Sequence, residues 1–341
     1  NKIEGFRLSP QQRHLWSLQR ATSFTYQVGA TVSINGELRA DVLQGALADI
    51  VERHEILRTT FQRPPGIKTP FQVISDEARF SWQFTDVNGL DHEALPLKLE
   101  NCLLAERNKP FDFERGPLLR ASLYSTSPEH HTLLISLPAL CGDPVTIRNL
   151  ISELGQEFAD QPMQYADFAE WQNELLESSD EQADQGRNYW RELMARQLSP
   201  LTLPLEKQRI AAQSFQPEAV SIDLDSTCLA NVDALAREHD VSPQVVLFAF
   251  WQALVWRLTN QPDFTIFNLS DGRKIEDLQG ALGAYAKYLP VACHCEDVSF
   301  AAHLQNARAA LSKAEEWQEY FDPNSFGEAA RDSIAFDFGE Q

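Results

Sequence analysis

Residues 132–150 read TLLISLPALCGDPVTIRNL, an apolar run that passes through a short corner into a helix. The Leu- and Ile-rich run predicts a buried strand, and the residues after the corner repeat apolar positions at helical spacing. Asp143 followed by Pro144 signals a helix start, because aspartate caps the first amide groups and proline has no amide hydrogen. Rigid strand-to-helix corners often carry catalytic side chains. The stretch therefore predicts an α/β arrangement and makes Cys141 and Asp143 candidate site residues.

Composition and charge limit what the rest of the chain can be. The 341 residues are enough for two lobes of ordinary domain size, and 43% hydrophobic residues are typical of a globular protein. The net charge of −20 repels phosphate backbones, and no dense basic patch offsets it, so we expect no nucleic-acid partner. The longest apolar run, VVLFAFWQALVWRL, is too short to span a membrane, so we expect no membrane segment.

The termini and the cysteines give further expectations. The chain begins with Asn1 and shows no signal peptide, which suggests a piece of a longer protein. Five cysteines are an odd number spread over a large chain. This usage favours a reducing compartment over a disulfide framework, so we expect a cytoplasmic location.

The first half of the chain alternates helical and strand patterns. Ser9 and Pro10 form a cap for an opening helix, and YQVGATVSING alternates as a strand that turns at Asn35 and Gly36. Apolar residues at helical spacing, including Val42, predict a helix over Asp41–Arg53. Further strands are predicted at RHEILRTTFQ, PFQVI, FSWQFTDV, LLRASLY and TLLISL, and another helix at NCLLAERNKPF.

The second half begins after an acidic stretch, ELLESSDEQADQGRNYWRELMARQ, which reads as a solvated helix. The proline and polar residues that follow indicate a linker at about 196–218, so we expect one lobe over 1–178 and another over 179–341. Beyond the linker the patterns predict strands at AVSIDLD, DFTIFNLS, LPVACHC and SIAFDFG, and helices at TCLANVDALAREHD, SPQVVLFAFWQALVWRL and VSFAAHLQNARAALSKAEEW.

Several of these segments, in order and at matching spacing, resemble the condensation domains of nonribosomal peptide synthetases. The similarity covers nearly the whole chain. The matching segments are LSPQQRHLWSLQ, RHEILRTTF, FDFERGPLLRASLY, YADFAEWQ and DGRKIEDLQGALGAYAKYLP, the last with Lys287 where the family usually has Asn.

The resemblance implies an α/β fold of two chloramphenicol-acetyltransferase-like lobes in a V-shaped pseudodimer with a tunnel between them. It also implies that peptidyl or aminoacyl carrier domains and neighbouring synthetase domains are the partners. Phosphopantetheine would be carried by those carrier domains, with no cofactor bound directly here. In the family a further quarter of the domain follows the segment ARDSIAFDFGEQ, so we expect the C-terminal part to be truncated.

The family's third motif is two histidines, three residues, then Asp-Gly, at the middle of the tunnel. Aligning its aspartate with Asp143 places the two histidines at Pro138 and Ala139, so both are lost. The upstream pair His130 and His131 does not restore the motif, because it opens the strand instead of ending it.

The missing second histidine bears directly on the chemistry. In the family an amine attacks a thioester, and the group at this position orients the nucleophile or handles its proton. A positioned acid or base contributes roughly 10²- to 10⁴-fold in rate. The methyl group of Ala139 contributes none of this, so amide-bond formation by the family's mechanism is not expected.

Other motif positions carry candidate roles. The resemblance implies that Asp143 forms a structural ion pair with Arg58, although Asp143 is also a plain helix cap. Cys141 is the one nucleophile in the corner, yet buried free cysteines are usually small apolar residues. Tyr285 and Lys287 fall where the family's fifth motif borders the tunnel. A lysine there would meet a carboxylate or phosphate, or would lie on the surface.

No metal site is expected from the motif Cys293-His294-Cys295. On a strand, residues two apart face one side, so His294 faces away from the two cysteines, and no second ligand pair follows at metal spacing.

Three functional hypotheses remain open. Two subgroups of the family have altered third motifs: modified condensation domains of amino-acid antimetabolite synthetases, and interface domains that recruit a tailoring enzyme. The first hypothesis is a non-condensing platform that docks carrier domains or a tailoring enzyme. The second is an enzyme of altered chemistry, such as dehydration or elimination on a carrier-tethered amino acid. The third is a spacer that binds nothing.

Overall fold

The protein is seen here in a computed structural model, which describes residues 5–21, 25–87, 95–156, 161–196, 201–204, 218–295, 298–325 and 333–339. The chain forms two compact units. The first contains Asn1–Glu177 and Arg273–Ala286, and the second contains Ser178–Gly272 and Lys287–Gln341. Most of the predicted linker at 196–218 lies outside the described residues, and the lobe limits 1–178 and 179–341 stay predictions.

The first unit is built on a four-stranded sheet. Its strands follow the order β1-β6-β5-β4, where only β4 and β5 run parallel, and β2 and β3 form a separate antiparallel pair. The strands are β1 (Gln27–Asn35), β2 (Thr59–Gln62), β3 (Phe71–Ile74), β4 (Ser81–Asp86), β5 (Arg120–Ser127) and β6 (His130–Pro138). The helices are α1 (Pro10–Ala21), α2 (Ala40–Arg53), α3 (Leu95–Asn108), α4 (Pro144–Glu153) and α5 (Tyr165–Glu177).

One face of this sheet forms the core of the first unit. Leu133, Ile135 and Leu137 of β6 alternate onto that face and are fully buried, as expected for a central strand. Leu47 and Ile50 of α2 join the same core cluster. Val42 was predicted to lie on the buried face of this helix, but it is 56% exposed. The helix therefore packs against the core through a narrower stripe that includes Leu43, Leu47 and Ile50.

The opening helix is fixed to the sheet end by its cap. The hydroxyl of Ser9 accepts a hydrogen bond from the amide of Gln12 at 3.0 Å, and Gln12 Oε1 accepts from the amide of Ser9 at 3.1 Å. This reciprocal pair is a capping box. The Gln12 side chain also donates to the carbonyl of Leu140 at 3.0 Å. The start of α1 therefore supports the corner that follows β6.

The second unit packs helices on a three-stranded sheet of order β8-β7-β9, with β7 and β8 antiparallel and β7 and β9 parallel. The strands are β7 (Asp263–Ser270), β8 (Lys287–His294) and β9 (Ile334–Phe336). The helices are α6 (Glu181–Ala195), α7 (Ser226–Glu238), α8 (Pro243–Thr259) and α9 (Phe300–Glu316). Each of these helices begins with a side chain that accepts a hydrogen bond from its first turn: Asp180, Asp225, Ser242 and Ser299.

Three predicted elements differ in the structure. The acidic stretch is not one solvated helix, because Asp180 starts a new helix after α5 and Trp190 is buried, with its indole donating to Trp317 O at 2.9 Å. The segment RHEILRTTFQ begins as a short 3-10 turn, Glu55–Arg58, before β2. The segment AVSIDLD is not a strand, and its Val220 is 89% exposed. Alternating apolar residues make a strand only when a neighbouring strand pairs with them.

No single helix in the described ranges is long and apolar enough to cross a membrane, although α7 and α8 together meet that length and composition as a pair bent by 104°.

Candidate functional site

The corner after β6 is held by its backbone. The amide of Ala139 donates to Tyr26 O at 2.9 Å, and the amide of Cys141 donates back to Pro138 O at 2.8 Å. Pro138 is buried and Ala139 is half-buried. Neither side chain has a group that can accept or donate a proton, so the two aligned positions of the family's histidines carry no acid or base.

Asp143 lies at the centre of the corner as the cap of α4. Its carboxylate accepts hydrogen bonds from five N–H groups at 2.7–3.0 Å. These are the amides of Thr146, Tyr285 and Ala286 and two nitrogens of Arg273. The predicted cap is confirmed, with Pro144 in the first turn. A buried carboxylate with this many donors is held in one position, and its lone pairs are already in use.

The predicted ion pair between Asp143 and Arg58 is wrong. Arg273 Nη1 lies 2.8 Å from Asp143 Oδ2, and both side chains are buried. Arg58 instead donates to Ser75 O and lies 3.6 Å from Glu55 Oε1. Arg58 precedes β2 and Ser75 follows β3, so the pairing of these two strands places the residues side by side. Arg273 lies in the segment that resembles the fifth motif, but nothing local in that segment indicates a partner 130 residues earlier.

Gly283 brings the Arg273–Ala286 segment close to α5. Its φ is +157°, and a Cβ at this position would lie 2.0 Å from Cδ2 of Tyr165. The backbone of Gly283 also exchanges hydrogen bonds with the hydroxyl of Thr146 at 2.8 and 3.0 Å. Glycine is therefore needed both for the backbone conformation and for the close approach.

Tyr285 lies beside the ion pair in an aromatic cluster. The guanidinium carbon of Arg273 is 4.6 Å from the centre of its ring, and the rings of Tyr165 and Phe168 lie 5.0 and 4.7 Å away. Burial raises the pKa of the Tyr285 hydroxyl. That hydroxyl is buried and has no hydrogen-bond partner among the described residues. A phenol can both donate and accept a hydrogen bond, so this hydroxyl has unused hydrogen-bonding capacity within the described part of the chain.

Cys141 is 1% exposed and belongs to the apolar core of the first unit. Burial raises the pKa of its thiol. The thiolate is the nucleophilic form of cysteine, so a buried neutral thiol is a poor nucleophile. The structure places Cys141 with the packing residues of the corner.

Lys287 belongs to the second unit and is buried, contrary to the surface position considered from sequence. Its ammonium lies 3.2 Å from Glu319 Oε2 and donates to Gln318 O at 3.2 Å. The carboxylate that it meets therefore comes from its own chain.

The other two histidine and cysteine motifs are separate from this site. His130 and His131 lie at the opposite end of β6 from the corner, next to Asn35 and Pro128. Cys293 and Cys295 are buried, and burial raises their pKa values to about 12 and about 11. His294 is exposed and pairs with Asp263 at 2.7 Å. In the described part of the chain, no group of three or more His, Cys, Asp or Glu side chains is placed to hold a metal ion.

Comparison with known sequences gives many relatives. A plipastatin synthase from Bacillus subtilis (strain 168) is 31% identical over 327 residues, which are 94% of this chain and 12% of that protein. Bacitracin synthase 2 from Bacillus licheniformis is 26% identical over 328 residues, with 94% of this chain and 12% of that protein covered. The chain therefore spans only a small part of the length of these relatives.

Solved structures agree with the fold. The first condensation domain of the calcium-dependent antibiotic synthetase, in complex with substrate analogue 3a, has a TM-score of 0.81 at 17% identity, covering 99% of this chain and 80% of that chain. The X-domain in its complex with OxyB from teicoplanin biosynthesis has a TM-score of 0.80 at 24% identity, covering 97% and 74%. These matches confirm the predicted chloramphenicol-acetyltransferase-like α/β fold.

The V-shaped arrangement, the tunnel and the C-terminal truncation stay predictions. The condensation domain family itself matches residues 3–321. With nearly the whole chain matched in sequence and in fold, the chain belongs to the condensation domain family.

Proposed function

We propose that this chain is a degenerate condensation domain of a nonribosomal peptide synthetase that forms no amide bond and acts as a docking platform. The observation that carries the proposal is the pair Pro138 and Ala139, which occupies the aligned positions of the two histidines. A missing acid or base removes roughly 10²- to 10⁴-fold in rate. The relatives named plipastatin synthase and bacitracin synthase support the synthetase context.

Three of the polar groups in the motifs do not replace the lost histidines. The carboxylate of Asp143 is occupied by five N–H donors, and the thiol of Cys141 is buried and neutral. The ammonium of Lys287 is paired with Glu319. The fold is retained while these three groups are paired or buried, which supports a binding role over condensation.

The proposed partners are aminoacyl or peptidyl carrier domains bearing phosphopantetheine, together with neighbouring synthetase domains. A tailoring enzyme is a further proposed partner, because one solved structure of the same fold is an X-domain in complex with OxyB. At 24% identity that structure supports the fold alone. Recruitment of a tailoring enzyme by this chain is therefore part of our proposal.

One experiment tests the platform. A phosphopantetheinylated carrier domain loaded with an aminoacyl thioester is titrated with the purified chain by calorimetry, and its intact mass is recorded before and after incubation. The same carrier without phosphopantetheine is the matched control. The proposal predicts saturable binding with no change in the carrier's mass. Absence of binding to any carrier or tailoring protein would favour the spacer, and a change in mass would favour an enzyme.

The second candidate is an enzyme that eliminates water from a carrier-tethered amino acid. The hydroxyl of Tyr285, which is buried and has no hydrogen-bond partner among the described residues, favours it, because a neutral phenol can donate a proton to a leaving hydroxyl. The phenol would give its proton to the β-hydroxyl of a tethered β-hydroxy amino acid, the C–O bond would break to release water, and the resulting phenolate would take the Cα proton. This candidate predicts that a loaded carrier loses the mass of one water, and that Tyr285→Phe abolishes the loss.

A further inference from the structure

Arg120 is a buried cation with few hydrogen-bond partners among the described residues. It begins β5 and is 5% exposed. One nitrogen, Nη2, donates to Lys109 O at 2.7 Å. The other two, Nε and Nη1, are buried and have no acceptor among the described residues. A guanidinium carries five N–H donors, and buried donors of this kind normally have partners.

No described residue places a neutralising charge against this guanidinium. Within the described ranges no carboxylate lies at ion-pair distance from Arg120, and Glu106 acts on it only by longer-range attraction. The ring of Phe111 lies 3.5 Å from the guanidinium carbon. Burial lowers the pKa of Arg120, which records the cost of holding this charge away from water. A chain with a net charge of −20 has many carboxylates, yet no described carboxylate pairs with this cation.

The position of Arg120 links it to the corner. It pairs in register with Ser136 of β6, and Gln27 pairs with Pro138. Paired residues share a sheet face, and Ser136 and Pro138 lie two apart on the same strand. Arg120, Ser136 and Gln27 are therefore on one face at the sheet end where the corner begins. Gln27 Oε1 is also buried without a donor among the described residues. Two strands at this sheet end therefore carry buried polar atoms that have no hydrogen-bond partner in the described part of the chain.

A structural explanation accounts for only part of these observations. Lys109 follows the end of α3, and an arginine that binds a carbonyl there stabilises the helix end. That contact uses Nη2 alone. It leaves Nε and Nη1 without acceptors in the described part of the chain. A guanidinium that stacks on an aromatic ring and has N–H groups available is well suited to bind a carboxylate or a phosphate.

We propose that Arg120 is the cationic group of a small oxyanion-binding site at this sheet end, taking a carboxylate or a phosphate group. The site is distinct from the Asp143–Arg273 ion pair and does not depend on carrier docking. Its occupant supplies the oxygen atoms that Nε and Nη1 lack.

The test is an NMR titration of the purified chain with ¹⁵N-labelled arginine. The Nε–H signal of Arg120 is identified by its absence in Arg120→Lys. Sodium acetate and sodium phosphate are titrated in separate arms at constant ionic strength, with sodium chloride as the control anion. The proposal predicts a saturable shift of this signal with acetate or phosphate and none with chloride. The arm that saturates at lower concentration identifies the source as carboxylate or phosphate.

Thermal unfolding in the same solutions gives a second measurement. The preferred anion is expected to raise the Tm of the wild type. Its binding to Arg120→Lys is expected to be at least about tenfold weaker, which corresponds to the loss of one hydrogen bond to a charged group. Arg115→Lys is the matched control at an exposed arginine and is expected to retain the effect. If Arg120→Lys does not fold, the Nε–H signal is assigned through its contact with the Phe111 ring. A wild-type signal that does not saturate with either anion overturns the proposal.

Discussion

Arg273 and Asp143 show at the scale of single residues how the corner is built. Their side chains are 1% and 6% exposed, and the pair joins α4 to the segment that follows β7. Removing one partner leaves the other charge buried and unpaired. We therefore expect Arg273→Gln to lower the free energy of unfolding by about 3–5 kcal/mol.

Urea unfolding followed by far-UV circular dichroism measures this change. Asp41→Asn is the matched control, since the pair of Arg39 and Asp41 is exposed and its loss is expected to leave stability almost unchanged. Equal stability of Arg273→Gln and the wild type would show that this pair does not hold the corner.

The assignment of Cys141 to packing gives a chemical prediction. Its thiol is buried with a raised pKa, whereas Cys228 is exposed. Iodoacetamide at neutral pH is expected to modify Cys228 in the native protein and to reach Cys141 only after denaturation, because alkylation needs an accessible thiolate. Peptide mapping by mass spectrometry gives both rates. Native modification of Cys141 as fast as that of Cys228 would make it a catalytic candidate again.

Local signals were reliable at the residue scale and distant pairings were not. Ser9 and Asp143 were identified as caps from the chain beside them, since a cap bonds to amides within three residues. The partner of Asp143 lies 130 residues away and is chosen by the fold, so the resemblance gave Arg58 and the structure gave Arg273. Nε and Nη1 of Arg120 are buried without an acceptor in the described ranges because of packing, and no sequence pattern predicts this.

At the scale of elements, the Gly283 segment approaches α5 closely. A methyl group at Gly283 would overlap the Tyr165 ring in a backbone conformation that side chains avoid. Overpacking of this kind costs about 1–3 kcal/mol. Gly283→Ala is therefore expected to be destabilised by at least this amount in urea unfolding.

Gly45→Ala is the control for the same exchange. Gly45 lies within α2, and a Cβ there meets nothing within 4 Å. Alanine in an exposed helix is favoured over glycine by about 0.5–1 kcal/mol, so this variant is expected to gain stability. A stable Gly283→Ala would contradict the close packing described for the segment.

An alternating or apolar pattern predicted a strand correctly where the fold supplies a partner strand, and incorrectly where it does not. The alternating residues of β1 and the apolar run of β6 pair along their full length. The segment AVSIDLD has the same alternation but pairs with no described strand, so its pattern was insufficient. The acidic stretch contains the end of α5 and the start of α6. The side chain of Asp180 accepts a hydrogen bond from the first turn of α6 and so begins a second helix.

At the scale of the whole molecule, the fold class and the family were accessible from sequence. The motifs are ordered along the chain, and solved condensation domains cover up to 99% of it. Function was less accessible, because the same fold supports different activities and the decisive residues are few. The corner has a capping aspartate that is paired with Arg273, while the aligned histidine positions hold Pro138 and Ala139.

The most direct test of this account is a condensation assay with two loaded carriers. A donor carrier bearing an aminoacyl thioester and an acceptor carrier bearing a second amino acid are incubated with the purified chain, and the intact mass of the acceptor carrier is followed over time. The account predicts that dipeptidyl carrier forms no faster than without the chain. Product formation about 10²-fold or more above that background, the scale of a positioned acid or base, would contradict it.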